Sequence, residues 1–179
     1  MSAGLAALMA LLACGSSEPA TLSADENPRQ VVEQFILVQS EGDTRQWKLI
    51  AEVGEYFEED SLLLLKGVEI TFFEEDVPSM VMVGDSGRVD RITGLLRLWG
   101  DVFAETEDGR TMEAPEIVWD DSLEILHSDC LVVLTITDSL GVTILSGRGV
   151  DLDTSLGAGE DVDIRQDFTA VYSGEMDVE

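Results

Sequence analysis

The chain has 179 residues, 45% of them hydrophobic, which is enough for one domain with a buried core and excludes a chain that is disordered throughout. Ten Lys and Arg residues stand against 37 Asp and Glu residues, and the net charge of −27 excludes nucleic acid as a natural partner, because phosphate binding needs clustered Lys and Arg. The two cysteines could form at most one bridge, so the chain is not a disulfide scaffold.

The first residues form a predicted targeting segment. An apolar run extends from Gly4 to Ala13, which is too short to span a bilayer and is typical of the core of a signal peptide. The run ends at Leu11-Leu12-Ala13-Cys14-Gly15, and this junction resembles the cleavage box of bacterial lipoproteins. The resemblance implies a signal peptide over residues 1–13 and a lipid on Cys14, which would begin the mature protein. No Lys or Arg precedes the run, which leaves the stub of a membrane helix as the alternative.

Residues 14–30 are predicted to be the acylated cysteine and a flexible tether. They are rich in Ser, Glu, Pro and Ala and have no apolar period. Pro28 argues against a continuous helix into the next element. A β-domain is therefore predicted over residues 31–172, followed by a C-terminal tail over residues 173–179.

The domain is predicted to be β-structure almost throughout. Trp47, Leu49 and Ala51 alternate with less apolar residues, as expected for a half-buried strand. Polar turns that carry Ser or Thr beside Leu recur at intervals of about 30 residues, which predicts repeated hairpins that must stack to bury their apolar faces. The segment from Asn27 to Gln39 is the one helical candidate, and its aromatic and β-branched second half favours a strand.

Many of the predicted strands are apolar on both faces. Val81 and Trp99, for example, would lie on the opposite face of their strands from their apolar neighbours Met82 and Leu98. Two architectures remain open. One is a two-layer sandwich whose packed centre takes one face. The other is a rolled sheet whose apolar interior is left partly open and offers a groove to an acyl chain.

No catalytic, metal or cofactor site is recognisable in the sequence. His127 is the single histidine and lies in a predicted strand, which argues against a zinc site and against a Ser-His-Asp arrangement. The segment from Asp151 begins like a calcium loop, but Leu156 and Val162 stand where such a loop needs Gly and Glu. We therefore predict a protein that is not an enzyme and needs no cofactor.

An ordered series of short motifs resembles the LptC family of lipopolysaccharide-export proteins. The motifs extend over roughly Phe35 to Phe168 and are Trp47-Lys48-Leu49-Ile50-Ala51, Leu96-Arg97-Leu98-Trp99-Gly100-Asp101-Val102, Asp108-Gly109-Arg110-Thr111-Met112-Glu113-Ala114, Ile117-Val118-Trp119-Asp120 and Gly147-Arg148-Gly149-Val150. The resemblance implies an all-β fold, a twisted antiparallel β-jelly-roll of the OstA/LptC type.

The same resemblance implies a role in the periplasm. A member of this family would accept lipopolysaccharide from an inner-membrane ABC transporter of the LptB/LptF/LptG type and pass it to a periplasmic bridge protein of the LptA type. Better-known members carry a transmembrane helix, whereas Cys14 would here supply a lipid anchor in the inner membrane, with the outer membrane as the alternative location. The competing function is a membrane-tethered structural lipoprotein whose β-domain binds another protein and no lipid.

The resemblance also assigns roles to particular positions. The apolar interior would hold acyl chains, and the candidates for its lining are Leu49, Ile70, Phe72, Met80, Met82, Leu96, Leu98, Val102, Trp119 and Leu131. C-terminal edge strands would face the bridge protein through Val162, Ile164, Phe168 and Val171. The segment from Val31 to Val38 would face the membrane complex.

Overall fold

Nine strands follow one another along the chain. The computed structural model describes residues 30–58, 61–139, 141–157 and 162–174, and all regular structure in these ranges is β-strand. The strands are β1 (Gln30–Glu41), β2 (Thr44–Phe57), β3 (Leu62–Glu74), β4 (Val77–Asp90), β5 (Leu95–Thr106), β6 (Thr111–Asp120), β7 (Ile125–Asp138), β8 (Gly141–Leu152) and β9 (Asp163–Gly174). The prediction of a strand in the second half of Asn27 to Gln39 is confirmed by β1. The predicted signal peptide, Cys14 and nearly all of the tether lie outside the described residues.

The strands form one antiparallel sheet in which every strand pairs with its neighbours in sequence. The spatial order is β1 to β9 without a crossover, so the predicted all-β fold of repeated hairpins is confirmed. β1 and β9 are the two edges of this order, and in the described part of the chain they do not pair with each other. The sheet is therefore open and has two edge strands with unpaired backbone groups.

One face of this sheet is apolar from end to end. Residues that lie opposite one another in successive strands form a continuous row across it, namely Leu37, Leu49, Ile70, Met82, Ala104, Met112, Leu134, Leu145 and Ala170. The central members of the row are buried, with Leu49 and Ile70 at 0% exposure. A single face can be buried to this degree only if the sheet folds over and packs against itself.

Contacts between strands that are distant in the sheet show this folding. The rings of Phe72 in β3 and Trp119 in β6 meet edge to face, with centroids 5.0 Å apart. The indole Nε1 of Trp47 in β2 donates a hydrogen bond of 2.7 Å to Asp121, which follows β6. One continuous sheet thus covers one hydrophobic core, as expected for a β-jelly-roll, and the side chains of that core are packed together.

An aspartate begins three of the turns that recur along the sequence. Asp90 accepts hydrogen bonds from the backbone N–H groups of Ile92 and Thr93, at 2.9 and 3.1 Å. Asp120 accepts from the backbone N–H and hydroxyl of Ser122, at 2.9 and 2.6 Å. Asp153 accepts a corresponding bond from the Ser155 backbone. The repeated Ser or Thr is thus one half of an Asx-type turn that satisfies backbone donors where one strand reverses into the next.

These turn carboxylates give the protein an expected sensitivity to acid. Hydrogen bonds from the Thr93 and Ile92 backbone lower the pKa of Asp90, and the bond from the Ser122 side chain lowers the pKa of Asp120. A carboxyl whose pKa is lowered by folding stabilises the folded state above its unfolded pKa of about 3.9, and this contribution is lost as the pH falls through the folded pKa. We expect the melting temperature of the double variant Asp90→Asn/Asp120→Asn to fall less between pH 5 and pH 2 than that of the unaltered protein. Asp43→Asn, which removes an exposed turn carboxylate, serves as the control, and equal pH slopes for all three proteins would contradict the assignment.

Candidate functional site

The interior of the folded sheet is the candidate lipid-binding region, and nine of the ten predicted lining residues belong to it. Leu49, Ile70, Phe72, Met80, Met82, Leu96, Leu98, Val102 and Trp119 are all at most 5% exposed and all belong to one hydrophobic cluster. Met80, Met82 and Met112 lie near its centre, each 1% exposed. Methionine side chains are unbranched and flexible, so this part of the core can repack around a guest more easily than one built of β-branched residues.

The tenth lining candidate, Leu131, is a wrong prediction. Its side chain is 44% exposed and lies on the outer face, whereas Cys130, Val132 and Leu134 are buried at 7%, 2% and 2%. The register between β7 and β8 shifts between Ser128 and Leu131, so this part of β7 contains a bulge. Residues Leu131 to Leu134 are all apolar, so the sequence could not show which of them face inward and which face outward.

A cavity opens where the interior meets solvent at one end of the folded sheet. Its volume is about 840 Å³. Four aromatic residues contribute to its lining, namely Trp47, Phe72, Phe73 and Trp119. The lining also includes the ends of β1 and β3 and residues of the turns after β6 and β8, so parts of the chain that are distant in the sheet lie close together here. The cavity is therefore a mouth of the apolar interior, and we refer to it below as the mouth.

The mouth has an acidic rim. Seven of its seventeen lining residues are carboxylates and none is Lys or Arg; the seven are Glu41, Glu74, Glu107, Asp108, Asp121, Glu124 and Asp153. This share is about twice that of acids in the whole chain, so the overall acidity of the protein does not account for it. In the described ranges, no group of three or more His, Cys, Asp or Glu side chains is arranged to hold a metal ion.

Two arginines stand beside the rim, and both are already paired. The guanidinium of Arg45 lies 4.4 Å from the centre of the Phe73 ring and bonds to Asp76, with 3.3 Å between its Nε and the carboxylate. The hydrogen bond from the Arg45 backbone N–H, followed by that from its side chain, lowers the pKa of Asp76. Arg110 bonds to Asp108 at 3.0 Å. Apart from Asp108, the rim carboxylates are thus left without a basic partner among the described ion pairs.

The two tryptophans of the mouth differ in how their indole N–H groups are satisfied. Trp47 donates to Asp121, as described above. Trp119 is 5% exposed, and its Nε1 has no hydrogen-bond partner among the described residues. A buried donor without an acceptor costs free energy, so the Trp119 N–H lowers the stability of this part of the core. The sequence pattern identified Trp119 as apolar lining but gave no sign of its unpaired N–H.

The predicted edge residues fall into two groups in the structure. Val162 and Ile164 pack partly against the core, whereas Phe168 and Val171 are 60% and 53% exposed. The last two belong to the part of β9 that extends beyond the core as the free edge of the sheet. On the other edge, Val31 and Ile36 of β1 are 56% and 58% exposed. Exposed apolar side chains on an unpaired strand are features of a docking edge.

A charged cluster joins β9 to the two strands before it. Asp151 of β8 contacts both the His127 ring of β7 and the guanidinium of Arg165 in β9, the latter at 3.0 Å. Arg165 reaches the cluster by crossing Gly149, where a Cβ atom would lie 2.7 Å from its Nε. His127 is the single histidine of the sequence, and two of its partners, Asp151 and Arg165, lie 24 and 38 residues away, whereas Asp129 lies 3.4 Å from its Nε2 and only two residues away.

The sequence matches the model of a known protein family. A family model described as "Lipopolysaccharide-assembly, LptC-related" matches residues 3–140, which is more than half of the chain and includes β1 to β7. No curated protein matches the sequence. In the described ranges there is no helix of a length and apolarity that would cross a membrane.

Proposed function

The chain belongs to the LptC family, and from that membership we propose that it accepts lipopolysaccharide from an inner-membrane ABC transporter complex and passes it to a periplasmic bridge protein. The family takes part in lipopolysaccharide transport in the periplasm at the inner membrane and is not a family of enzymes. We propose in addition that the donor is of the LptB/LptF/LptG type and that the acceptor is of the LptA type.

The observation that carries the proposal is the apolar row that crosses the sheet from one edge to the other. An acyl chain in contact with this row would gain about 0.8 kcal/mol for each methylene removed from water, while the sugar part stays in solvent. The core is packed in the described structure, so the two halves of the sheet must part to admit a chain. The protein itself need not hydrolyse ATP in this mechanism. The ATP cycle of the partner would drive the lipid in one direction.

Edge pairing is the proposed means of transfer. β9, with Phe168 and Val171, would continue the sheet into the bridge protein, and β1, with the segment Val31 to Val38, would face the membrane complex. Each pairing would satisfy a row of exposed backbone groups and extend the apolar face from one protein into the next.

Photocrosslinking tests the cargo. With a photoreactive amino acid in place of Met82 or Leu98 in cells, we expect crosslinks to lipopolysaccharide, because both positions are at most 1% exposed on the inner face. The matched control is Leu131, which is apolar but lies on the outer face, and it should give no such crosslink. Absence of lipid crosslinks from all interior positions would refute transport through the interior.

A protein-binding lipoprotein without lipid cargo is the second candidate, and the closely packed core favours it. The same experiment decides between the two, because crosslinks from the edge strands to protein, together with none from the interior to lipid, would support this second function.

The proposed anchor is a lipid on Cys14. The mass of the mature N-terminus tests it: we expect the chain to begin at Cys14 with covalently bound acyl chains, and one chain alone would hold it only weakly. An unprocessed N-terminus would contradict the lipoprotein assignment. Fractionation of the membranes would then distinguish the inner from the outer membrane, since Gly15 supplies no aspartate after the cysteine.

A further inference from the structure

We propose that the sheet opens along a hinge line that crosses all nine strands, and that the hydrogen bond from Trp47 to Asp121 is a latch that holds the mouth closed. The proposal deepens the lipid-transport function above and rests on it, because it names the side from which an acyl chain would enter the packed interior. Its support comes from a line of interruptions in the strand pairing, from the position of the mouth, and from the contacts across the mouth.

The pairing of the strands is interrupted along one line, which we call the crease. In each of the eight strand pairs the register either shifts or leaves residues unpaired at the same level of the sheet. Between β4 and β5, for example, the shift lies between Val83 and Ser86, and between β7 and β8 it lies between Ser128 and Leu131. The crease includes six strand residues with positive φ angles, namely Gln34, Gly67, Gly100, Asp101, Gly149 and Asp167.

The crease is suited to act as a hinge. Bulges bend the strands that contain them and interrupt the ladder of backbone hydrogen bonds. Bending the sheet along the crease therefore breaks fewer hydrogen bonds than bending it through a regular part of the ladder. Hinges in proteins are commonly a few positions that absorb changes of φ and ψ, and Gly67, Gly100 and Gly149 have the conformational freedom to do so.

The mouth lies on the side of the core that is opposite to the crease. The crease divides the sheet into two halves, which face each other across the core. One half ends at the turns after β1, β3 and β5, and the other half includes the turns after β6 and β8. Residues at or beside both sets of turns line the mouth, with Phe72 on one side and Trp119 on the other. A rotation of the halves about the crease would therefore widen the mouth most and the interior beside the crease least.

Two contacts join the halves at the mouth. The indole Nε1 of Trp47 in one half donates its hydrogen bond of 2.7 Å to the carboxylate of Asp121 in the other. Phe72 and Trp119 meet edge to face, with their ring centroids 5.0 Å apart. A hydrogen bond to a charged acceptor contributes more than one between neutral groups, so we assign the latch to Trp47 and Asp121.

The closed mouth also carries a cost that opening would remove. The Nε1 of Trp119 is buried and has no hydrogen-bond partner among the described residues. When the halves part, Trp119 loses its contact with Phe72 and water can reach the indole N–H. This gain offsets part of the lost latch, so the open form lies closer in free energy to the closed form than it would with every buried polar group satisfied.

Labelling of thiols with N-ethylmaleimide measures the opening of the purified protein without any lipid. Met80→Cys and Val102→Cys place a thiol at two positions that are each 1% exposed. Met80 lies opposite Phe72 on the side of the mouth, whereas Val102 follows Asp101 of the crease. Mass spectrometry of the peptide that contains each position gives the rate, which is divided by the rate in urea-unfolded protein. We expect labelling to be at least about tenfold faster at position 80, and equal rates would show global unfolding and overturn the hinge.

Two variants of Asp121 separate the hydrogen bond of the latch from its charge. Asp121→Ala and Asp121→Asn remove the same charge, but the asparagine keeps an oxygen that can accept from the Trp47 N–H. In the Met80→Cys protein we expect Asp121→Ala to raise the labelling rate roughly tenfold, and Asp121→Asn to raise it by less than about threefold. Glu107→Ala removes another carboxylate from the mouth lining and should leave the rate unchanged. Equal effects of the three variants would overturn the latch.

Trp47→Phe tests the latch from its other side. The change removes the donor and also part of a ring that packs in the core, so it is combined with Asp121→Ala to isolate the shared bond. We expect Trp47→Phe/Asp121→Ala to be labelled at position 80 no faster than Trp47→Phe alone, because both changes remove the same hydrogen bond. Rates that multiply in the double variant would show independent effects and would overturn the latch.

The labelling and the proposed lipid transport can fail separately. Thiol labelling involves no lipid, so it can refute the hinge and the latch while crosslinks from Met82 and Leu98 to lipopolysaccharide still support transport. Absence of those crosslinks would refute transport through the interior, and with it the proposed entry of an acyl chain at the mouth.

Discussion

Leu98→Ala is expected to lower the free energy of unfolding by roughly 2–5 kcal/mol, the range found when a large buried aliphatic side chain is truncated. Leu98 is 0% exposed and lies opposite Gly87 on one side and Ile117 on the other. Its Cδ2 atom lies 3.0 Å from where a Cβ on Gly87 would be, so the side chain fills the space that this glycine leaves. Urea denaturation followed by circular dichroism measures the loss.

Leu131→Ala is the matched control for this prediction. It removes the same atoms from a neighbouring part of the sheet, but Leu131 is 44% exposed on the outer face. We expect a loss of less than about 1 kcal/mol, because little apolar surface returns to water and no closed cavity is left. Equal losses for Leu98→Ala and Leu131→Ala would contradict the assignment of Leu98 to the buried inner face and of Leu131 to the outer face.

Gly147→Ala is expected to displace the edge strand β9 from β8. A Cβ atom at Gly147 would lie 2.2 Å from Cγ2 of Ile164 and 2.9 Å from the backbone oxygen of Gln166, both in β9. The second atom belongs to the backbone, so a change of side-chain rotamer cannot relieve the clash. Overpacking of this kind typically costs about 1–3 kcal/mol. We expect faster amide hydrogen exchange over Asp163–Gly174, measured by mass spectrometry, with the exchange of β3 and β4 unchanged.

Gly84→Ala is the control for the glycine substitution. It also adds a methyl group within a strand, but its nearest neighbours would be 3.6 Å away, an ordinary van der Waals distance. We expect hydrogen exchange in β9 to stay as in the unaltered protein. Unchanged exchange of β9 in Gly147→Ala would contradict the close packing of Ile164 on this glycine. Since β9 is the proposed docking edge for the bridge protein, Gly147→Ala should also weaken that interaction.

The alternation of apolar and polar residues predicted which face of a strand is buried wherever only one of the two alternating sets of positions was apolar, or where the surrounding motif helped to assign the face. Trp47, Leu49 and Ala51 alternate with Gln46, Lys48 and Ile50, and the structure buries the first set. The prediction failed at Leu131, where four successive apolar residues made the two faces equivalent in sequence, and the structure buries the alternate residues Val132 and Leu134 instead. The repeated turns were recognised from Ser or Thr beside Leu, although the aspartates that organise them, such as Asp120, were not.

The strands, their order as repeated hairpins and the family can be recognised in the amino-acid sequence, because each depends on patterns within a few tens of residues. The composition of the mouth becomes visible only in the folded protein. Trp47 and Asp121 are 74 residues apart, and they meet because the sheet folds over and brings the beginning of β2 to the turn after β6. Alternation assigns a side chain to one face of a strand, but it carries no information about what that face meets across the fold. The acidic rim and the unpaired N–H of Trp119 depend on that meeting, and therefore on how the sheet folds over.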